Sequence, residues 1–404
     1  MHRALRRAAP AAAQCGAPVL RLHVPLMRLP LLLGLCFGLH LAIGARLVPH
    51  LAGGLAGALG GLLVLSACLM PLSILARRIA RPPVSNLLSW FGLLTLGLFS
   101  SLFVLTLLRE ALLLLAWLLQ ALGALPWPLA DMRRHSALAV PLLAAGLTLL
   151  GAWNARRTAG VVTVDIPVAG LPLALHHFSI VQISDIHVGP TIRRGYVQAI
   201  VDAVNRQQPD LIAVTGDLVD GSVAELGAHV APLAQLRARH GSYFVTGNHE
   251  YYAGARPWLA ELRRLGLRTL LNEHVVLAHG GAALVVAGVT DYSAHHFDES
   301  HRSDPAAAVH GAPPGVAVRI LLAHQPRSAA AAAQAGFDVQ LSGHTHGGQF
   351  LPWRFFVRFQ QPFTAGLHRV DRMWLYVSRG TGYWGPPKRL GAPSEITRIR
   401  LVAG

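Results

Sequence analysis

The stretch LSGHTHGGQF, residues 341–350, places His344 and His346 two positions apart in a turn that contains three glycines. The apolar residues that precede the turn are typical of a short strand, and the glycines indicate where that strand ends. A pair of histidines at this spacing is weak evidence for a metal site, because histidine is common in turns and in protein cores. The pair becomes informative only if other parts of the chain supply partners for it.

Four earlier segments have the same form, an apolar run that is followed by Asp, Asn or His. They lie in a region, from about residue 160 onward, where short β-rich runs alternate with helical stretches, which is typical of an α/β fold. In such sheets the residues beyond the carboxyl ends of the strands bind ligands. The five predicted strand ends together carry seven candidate metal ligands, and one further histidine follows the third. The candidate ligands are Asp185, His187, Asp217, Asn248, His324, His344 and His346, and the further histidine is His249.

These candidate ligands are carboxylates, one amide and imidazoles, without a thiolate. Such a set suits divalent Mn, Fe, Zn or Co. Seven ligands are too many for one zinc ion, and they suit two ions that share a bridging carboxylate. Two ions about 3.5–4 Å apart can hold a hydroxide and stabilise an in-line displacement at phosphorus. The sequence therefore predicts two divalent metal ions of undetermined element and a phosphorylated substrate.

The first 160 residues differ in composition from the rest of the chain. They carry 14 arginines and two acidic residues, whereas residues 161–404 carry 21 lysines and arginines against 17 acidic residues. Four apolar runs occur here, and the third, with 22 residues, would extend about 33 Å as a helix, enough to cross a bilayer. We therefore predict an all-helical membrane domain with about four spans; a large soluble helical domain would seldom need four such runs in succession. The runs are 29–45, 51–76, 87–108 and 137–153.

The positions of the charged residues and of the cysteines exclude some classes of partner and of site. Most of the net charge of +16 comes from arginines that flank the apolar runs, where they anchor spans at the membrane surface. We therefore expect a membrane partner and no nucleic acid. The three cysteines all precede residue 160, so the α/β region contains no disulfide and no cysteine metal site.

The arginines are unevenly distributed between the two ends of the predicted spans. Ten lie on the side that holds the N-terminus and the α/β region, and three lie on the other side. This excess predicts a multi-pass protein of the inner membrane whose α/β region faces the cytoplasm. A helix that continued through the apolar residues 111–130 would overshoot the bilayer. We therefore predict that this stretch lies at the interface or against the helix bundle.

Five blocks of the sequence resemble, in order, the signature blocks of the calcineurin-like metallophosphoesterases. The blocks are SDIHVG, GDLVDG, GNHEYY, LLAHQP and SGHTHGGQ, and the resemblance extends over about residues 175–402. The last block, SRGTGYWGPPKRLGAPSEITRIRL, also resembles membrane-attached bacterial members and transmembrane proteins that carry such a domain. The resemblance implies a two-sheet αββα sandwich. The change of pattern after Arg157 places this domain at residues 159–404 and the membrane domain at residues 1–158.

The same resemblance implies a role for each candidate residue. One metal takes an aspartate and two histidines, the second takes the asparagine and two histidines, and another aspartate bridges them. In this sequence the first set is Asp185, His187 and His346, the second is Asn248, His324 and His344, and the bridge is Asp217. His249 is implied to be catalytic: it faces the substrate, where it stabilises the transition state or protonates the leaving oxygen.

Several interpretations stay open at this level. A lipid-linked substrate such as a nucleotide-diphosphate lipid is one candidate, and soluble phosphodiesters, phosphoproteins and nucleotides are others. A membrane receptor or transporter that senses phosphate is the alternative to an enzyme, and the oligomeric state is undetermined. Asp220 either orients a ligand or caps a turn. The stretch LPWRFFVRFQQPF, residues 351–363, fits either a lip in the membrane interface or a strand pair packed on the core.

Overall fold

The structure is a computed structural model that describes residues 29–123 and 128–404. Five of the arginines that entered the orientation argument precede residue 29 and lie outside the described residues, as does Cys15. The described part of the N-terminal region is helical. Its helices are α1 (Leu29–Leu47), α2 (Gly53–Leu69), α3 (Leu72–Ile79), α4 (Val84–Ala121) and α5 (Leu129–Arg156).

Four segments of this region are long and apolar enough to cross a membrane, as the sequence predicts. In the most apolar window of each, between 22% and 33% of the residues are buried inside the protein. Most of the apolar surface therefore faces outward, which is the arrangement that a bilayer stabilises. The segments are Leu29–His50, Gly53–Ala76, Val84–Ala121 and Leu129–Arg156.

The expectation that no unbroken helix runs from the third apolar run into residues 111–130 is wrong as far as residue 121; residues 124–127 lie outside the described residues. Helix α4 continues without a break for 38 residues, which corresponds to about 57 Å. It contains no proline, and its leucines and alanines favour a helix throughout. Arg109 does not interrupt the helix because its buried guanidinium donates hydrogen bonds to the backbone oxygens of Arg46 and Arg133. Helix α4 is therefore longer than the thickness of a hydrocarbon core.

Residues 160–404 form two six-stranded mixed sheets with flanking helices, which confirms the expected fold class. The strands are β1 (Gly160–Val168), β2 (Ser179–Ile183), β3 (Leu211–Val214), β4 (Ser242–Phe244), β5 (Arg268–Thr269), β6 (Glu273–His279), β7 (Ala282–Gly288), β8 (Val318–Leu322), β9 (Val339–Ser342), β10 (Gly366–Val370), β11 (Met373–Val377) and β12 (Glu395–Ala403). The helices are α6 (Arg194–Asn205), α7 (Val223–Val230), α8 (Asn248–Ala253), α9 (Ala255–Arg264), α10 (Pro305–Val309) and α11 (Ala329–Gln334). The strand orders are β1-β12-β2-β3-β4-β5 and β10-β11-β9-β8-β7-β6.

A buried apolar layer joins the two sheets. Ile180 on β2 belongs to the same buried cluster as Val286 on β7 and Ile320 on β8. The other face of the first sheet is covered by helices, through residues such as Val197 and Leu259. Strands buried on both faces consist of nearly continuous apolar residues, and this explains why the sequence of β2 shows little alternation.

Strand pairing brings the candidate ligands to one edge of the sandwich. β2, β3 and β4 are parallel neighbours in the first sheet, and β8 and β9 are parallel neighbours in the second. Parallel neighbours end on the same side of a sheet, and a candidate ligand follows each of these five strands within four residues. The site is therefore a product of the sheet topology.

The loop at residues 386–390 joins the sandwich to the membrane helices. Lys388 is almost fully buried between α4 and α5, and burial lowers its pKa to about 8. Its ammonium group donates to the backbone oxygen of Gly97 at 3.0 Å and to Oγ1 of Thr148 at 3.3 Å. The next residue, Arg389, donates its backbone N–H to the oxygen of Gly151 at 2.9 Å.

We expect Gly151→Ala to weaken this junction and Gly146→Ala, in the same helix, to leave it intact. A Cβ at Gly151 would lie 2.6 Å from Cγ of Lys388, whereas a Cβ at Gly146 would have no contact within 4 Å. Alanine stabilises a helix by about 1 kcal/mol relative to glycine. Any loss of stability in Gly151→Ala therefore reflects the contact with Lys388. The expected result is an unfolding temperature in detergent about 2–4 °C lower for Gly151→Ala only. Equal unfolding temperatures for the two variants would contradict a close-packed junction.

Candidate metal centre

Five of the candidate ligands have a left-handed backbone, which is rare outside glycine. Their φ angles lie between 52° and 71°, a conformation that costs a non-glycine residue about 1–3 kcal/mol and is frequent at functional sites. Neighbouring backbone holds these residues in place: the N–H of Asp185 donates to Gly216, and the N–H of His187 donates to Asp217. The turns thereby direct the side chains toward a common centre. The five residues are Asp185, His187, Asp217, His344 and His346.

Among the described residues, potential ligand atoms meet in three groups, and within each group all atoms lie within 4.8 Å of one another. Asp217 and His187 each belong to two of the groups, so the groups adjoin. This composition and spacing suit a centre for more than one ion. The groups are Asp185 with His187 and His346, Asp217 with His324 and His344, and His187 with Asp217 and His249.

Asn248 provides a separate indication that the site fits a cation. It is the first residue of α8, and its Oδ1 is buried without a hydrogen-bond partner. A buried carbonyl oxygen without a partner costs about 1–3 kcal/mol. Coordination to a divalent ion would satisfy this oxygen, since amide oxygens are among the ligands of such ions. The donor set and the unsatisfied oxygen thus both fit a metal centre.

Hydrogen bonds determine which nitrogen of two histidines faces the centre. Nδ1 of His324 lies 2.7 Å from the backbone oxygen of Thr215, and Nδ1 of His187 lies 2.9 Å from Oδ1 of Asp220. Both partners are acceptors, so Nδ1 carries the proton in each ring, and in the neutral ring Nε2 presents its lone pair. Nε2 of His187 lies 3.1 Å from Nε2 of His346, a separation suited to two ligands of one cation.

The neutral state of two other histidines also suits metal binding. Burial, aided by the charge of His324, lowers the pKa of His344 to about 3. Burial also lowers the pKa of His346 well below its usual value, and neutral imidazole is the form that binds metals. Burial opposes ionisation of Asp217, but His324 and His249 hold its pKa well below the usual range. His344 and His346 are therefore held neutral beside the ionised carboxylate of Asp217. Burial opposes protonation of His324, but Asp217 raises the pKa of His324 well above its usual value.

Asp220 orients two histidines, and this geometry favours the orienting role over the turn-capping role. Its Oδ1 accepts from Nδ1 of His187 at 2.9 Å and from Nδ1 of His249 at 2.7 Å. Burial opposes protonation of His249, but the carboxylates of Asp217 and Asp220 raise its pKa to about 9. His249 therefore carries two N–H groups at neutral pH. Asp220 accepts from Nδ1–H, and Nε2–H does not contact Asp220.

Glu250 supports the centre and is not among the residues that the sequence predicts for it. Its carboxylate is fully buried and accepts hydrogen bonds from the backbone N–H groups of Asp217, Leu218 and Gly247. It thereby joins the turn after β3 to the start of α8. Its place three residues after Gly247 is the capping-box position of a helix, a signal that could have identified it.

Arg389 is a second supporting residue that the sequence analysis missed. The side chain is buried, and its guanidinium donates to the backbone oxygens of His346 and Arg379, both at 2.8 Å. Another of its nitrogens lies 3.1 Å from Nδ1 of His346. Arg389 contacts residues distant in sequence, so no local pattern could have indicated this role.

We expect Glu250→Gln to destabilise the domain and Glu225→Gln to have little effect. Both glutamates occupy the capping-box position of a helix, but Glu225 is exposed, where glutamine serves equally well. At position 250 the amide NH₂ would face a backbone N–H, which should cost about 1–3 kcal/mol. The measurement is the unfolding temperature in detergent with and without added Mn²⁺. Equal stability of the two variants would show that Glu250 does not hold the turn.

Comparison with known proteins identifies the α/β region. Residues 178–348 match the family model of the calcineurin-like phosphoesterases. The transmembrane protein with metallophosphoesterase domain of Bos taurus is 41% identical over 313 residues, which are 74% of this chain and 70% of the relative. The protein of the same description from Danio rerio is 40% identical over 276 residues, 66% of this chain and 63% of the relative.

A bacterial relative completes the comparison. An uncharacterized metallophosphoesterase of Campylobacter jejuni is 34% identical over 250 residues, 61% of this chain and 64% of the relative. The chain thus spans slightly less than two thirds of the fish and bacterial relatives and slightly more of the bovine one. The family match and the bovine relative show that this chain, with its candidate metal ligands at one edge of the sandwich and four apolar helices before them, belongs to the calcineurin-like metallophosphoesterase family.

Proposed function

We propose that this protein is a membrane-anchored enzyme that hydrolyses a phosphoester or pyrophosphate bond at a centre of two divalent metal ions. Residues 159–404 form the catalytic domain in this proposal, and residues 1–158 hold it at the bilayer. The observation that carries the proposal is the convergence of the candidate ligands from five strand ends, together with the unsatisfied oxygen of Asn248.

Each candidate ligand has a role in this proposal. Asp185, His187 and His346 hold one ion, and Asn248, His324 and His344 hold the other. Asp217 bridges them, which is supported by distances of 3.1 Å from its Oδ2 to Nε2 of His324 and 3.8 Å to Nε2 of His187. When bound, two such ions activate water and neutralise the oxygens of the phosphoryl group. Mn, Fe, Zn and Co all suit these ligands, and availability selects among them.

His249 is the proposed general acid. Asp220 holds its Nδ1–H, and the raised pKa keeps Nε2 protonated, so Nε2–H can be donated to the leaving oxygen. The ring of Tyr252 lies 5.1 Å from the imidazole, and the ring of Trp384 lies 5.8 Å from it, both between ring centres. These aromatic rings form an apolar wall beside the acid, suited to the organic part of a leaving group.

The membrane region indicates where the protein acts, not which reaction it catalyses. The flanking arginines place the catalytic domain on the cytoplasmic side of the inner membrane in this proposal. The junction at Lys388 holds the domain directly against α4 and α5. A substrate carried by a lipid, such as a nucleotide-diphosphate lipid, is therefore the leading candidate, with soluble phosphodiesters as the alternative.

Asp217→Asn tests the metal centre, with Asp371→Asn as its matched control. Both aspartates have a left-handed backbone, with φ of 53° and 52°, but Asp371 is exposed in the turn between β10 and β11. We expect Asp217→Asn to lower kcat by about 10³-fold or more, because an amide cannot replace a bridging carboxylate. Hydrolysis of a soluble aryl phosphodiester is measured with Mn²⁺, and a chelator should abolish it reversibly.

The outcomes separate the enzyme from a sensor. Retained turnover in folded Asp217→Asn protein would reject the metal-centre mechanism. A wild-type protein that binds phosphate but turns over no ester with Mn, Fe, Zn or Co would favour a receptor or transporter. The Asp371→Asn protein should keep both its stability and its turnover.

His249→Gln tests the general acid through the leaving group. Phenolate needs a proton to depart, whereas 4-nitrophenolate leaves without one. We therefore expect kcat to fall about 10²–10⁴-fold with a phenyl ester and much less with the 4-nitrophenyl ester. An equal loss with both substrates would show that His249 does not donate the proton. His310→Gln, at a histidine outside the metal centre, is the control and should leave both rates unchanged.

A further inference from the structure

An exposed aromatic loop directly follows the metal-binding turn. We call residues 351–359 the aromatic lip. It forms two 3-10 turns, Trp353–Phe355 and Val357–Phe359, so the alternative of a strand pair packed on the core is wrong. The exposed fractions are 60% for Phe355, 52% for Phe356 and 74% for Phe359. Exposed phenylalanines in one loop form an apolar surface whose contact with water is unfavourable.

The aromatic lip lies against a membrane span. Nε1 of Trp353 donates to Oγ of Ser100 at 2.8 Å, and Ser100 lies in the interior of α4. Leu107, two turns further along the same face of α4, is 54% exposed. The aromatic lip therefore contacts α4 about two turns from an exposed apolar side chain of the same helix.

The composition of the aromatic lip suits the interface of that bilayer. Arg354 and Arg358 are exposed between the aromatic residues, and the guanidinium of Arg358 lies 5.2 Å from the centre of the Phe359 ring. Aromatic and arginine side chains favour the boundary between hydrocarbon and headgroups. The segment contains no acidic residue, so anionic headgroups would attract it.

The aromatic lip is also attached to the metal centre. A Cβ at Gly348 would lie 2.0 Å from Cα of Arg354, so the lip packs directly on the turn that carries His344 and His346. Trp384 is 54% exposed, and its backbone N–H donates to Oε1 of Gln349 at 2.8 Å. The ring of Trp384 also lies beside His249, as described above, so Trp384 joins the turn that precedes the lip to the proposed acid.

We propose that the aromatic lip inserts into the interface of the bilayer that α4 crosses, and that the substrate is an amphiphilic phosphoester that enters the metal centre from this interface. The choice of substrate rests on the proposed function, whereas insertion of the lip does not. The phosphate would reach the metals beside Trp384 while the acyl chains stay among the phenylalanines of the lip.

Insertion is measured first, without any assay of activity. A fluorescent probe is attached to Phe359→Cys in full-length protein whose native cysteines are replaced, reconstituted in vesicles of neutral and anionic phospholipid. The control is Leu173→Cys, a position that is 88% exposed and precedes β2, at the opposite end of the strand from the metal centre. We expect spin-labelled lipids to quench the Phe359 probe and aqueous iodide to quench the Leu173 probe.

Two results would overturn insertion. Quenching of the Phe359 probe by iodide alone would show that the lip faces water. Shielding that rises with protein density, but not with spin-labelled lipid, would show that a second copy of the chain covers the lip.

The substrate route is then tested with Phe355→Ser/Phe359→Ser and the control Leu173→Ser. We expect the double variant to lose about tenfold or more of its activity on a phosphoester lipid embedded in vesicles. Its activity on the soluble aryl phosphodiester should change less than about twofold, since the lip contributes no ligand. Equal activity of the double variant and Leu173→Ser on vesicles would reject the route. Failure of wild-type protein on both substrates would instead reject the proposed function, and the quenching result would stand.

Discussion

The carboxylate of Asp217 is the group around which the candidate metal ligands are arranged. Its Oδ2 faces His324 on one side and His187 on the other, while Oδ1 accepts the backbone N–H of His249. Glu250 holds the Asp217 backbone in its left-handed conformation by accepting its N–H. Without this carboxylate, His324 and His187 would face each other with no negative charge between them. Asp217 therefore determines both the charge and the geometry of the site.

The metal centre and the membrane helices are joined by neighbouring residues of one short loop. Arg389 holds the turn that carries His346, and Lys388 is buried between α4 and α5. A buried ammonium group is costly unless it is hydrogen-bonded, and the backbone oxygen of Gly97 meets that need. The α/β domain is therefore packed on the helices rather than tethered by a flexible linker, which gives the aromatic lip a defined position along α4.

Much of the fold could be predicted from local patterns. Apolar runs between arginines predicted four spans, and apolar segments ending in Asp, Asn or His predicted the strands that surround the centre. The continuation of α4 was not predicted, because bilayer thickness limits the length of a span but not the length of a helix. The buried guanidinium of Arg109 is satisfied by carbonyl groups of other segments, which only the folded chain shows. Arg389 could not be predicted for the same reason, since its partners include the backbone oxygens of His346 and Arg379. The capping-box position of Glu250 marks the start of α8, but its bonds to the turn after β3 exist only in the folded chain.

The order and type of the residues alone thus specify that the chain has a membrane part and an α/β part with a carboxylate and imidazole ligand set. Hydrophobic periodicity and side-chain chemistry are local properties, and they survive in the unfolded chain. Packing was needed to decide which nitrogen of His187 faces the centre, that Asp220 orients His249, and that the phenylalanines of the aromatic lip lie exposed beside a span. These features arise from contacts between residues far apart in sequence, which exist only once the two sheets and the helices have assembled.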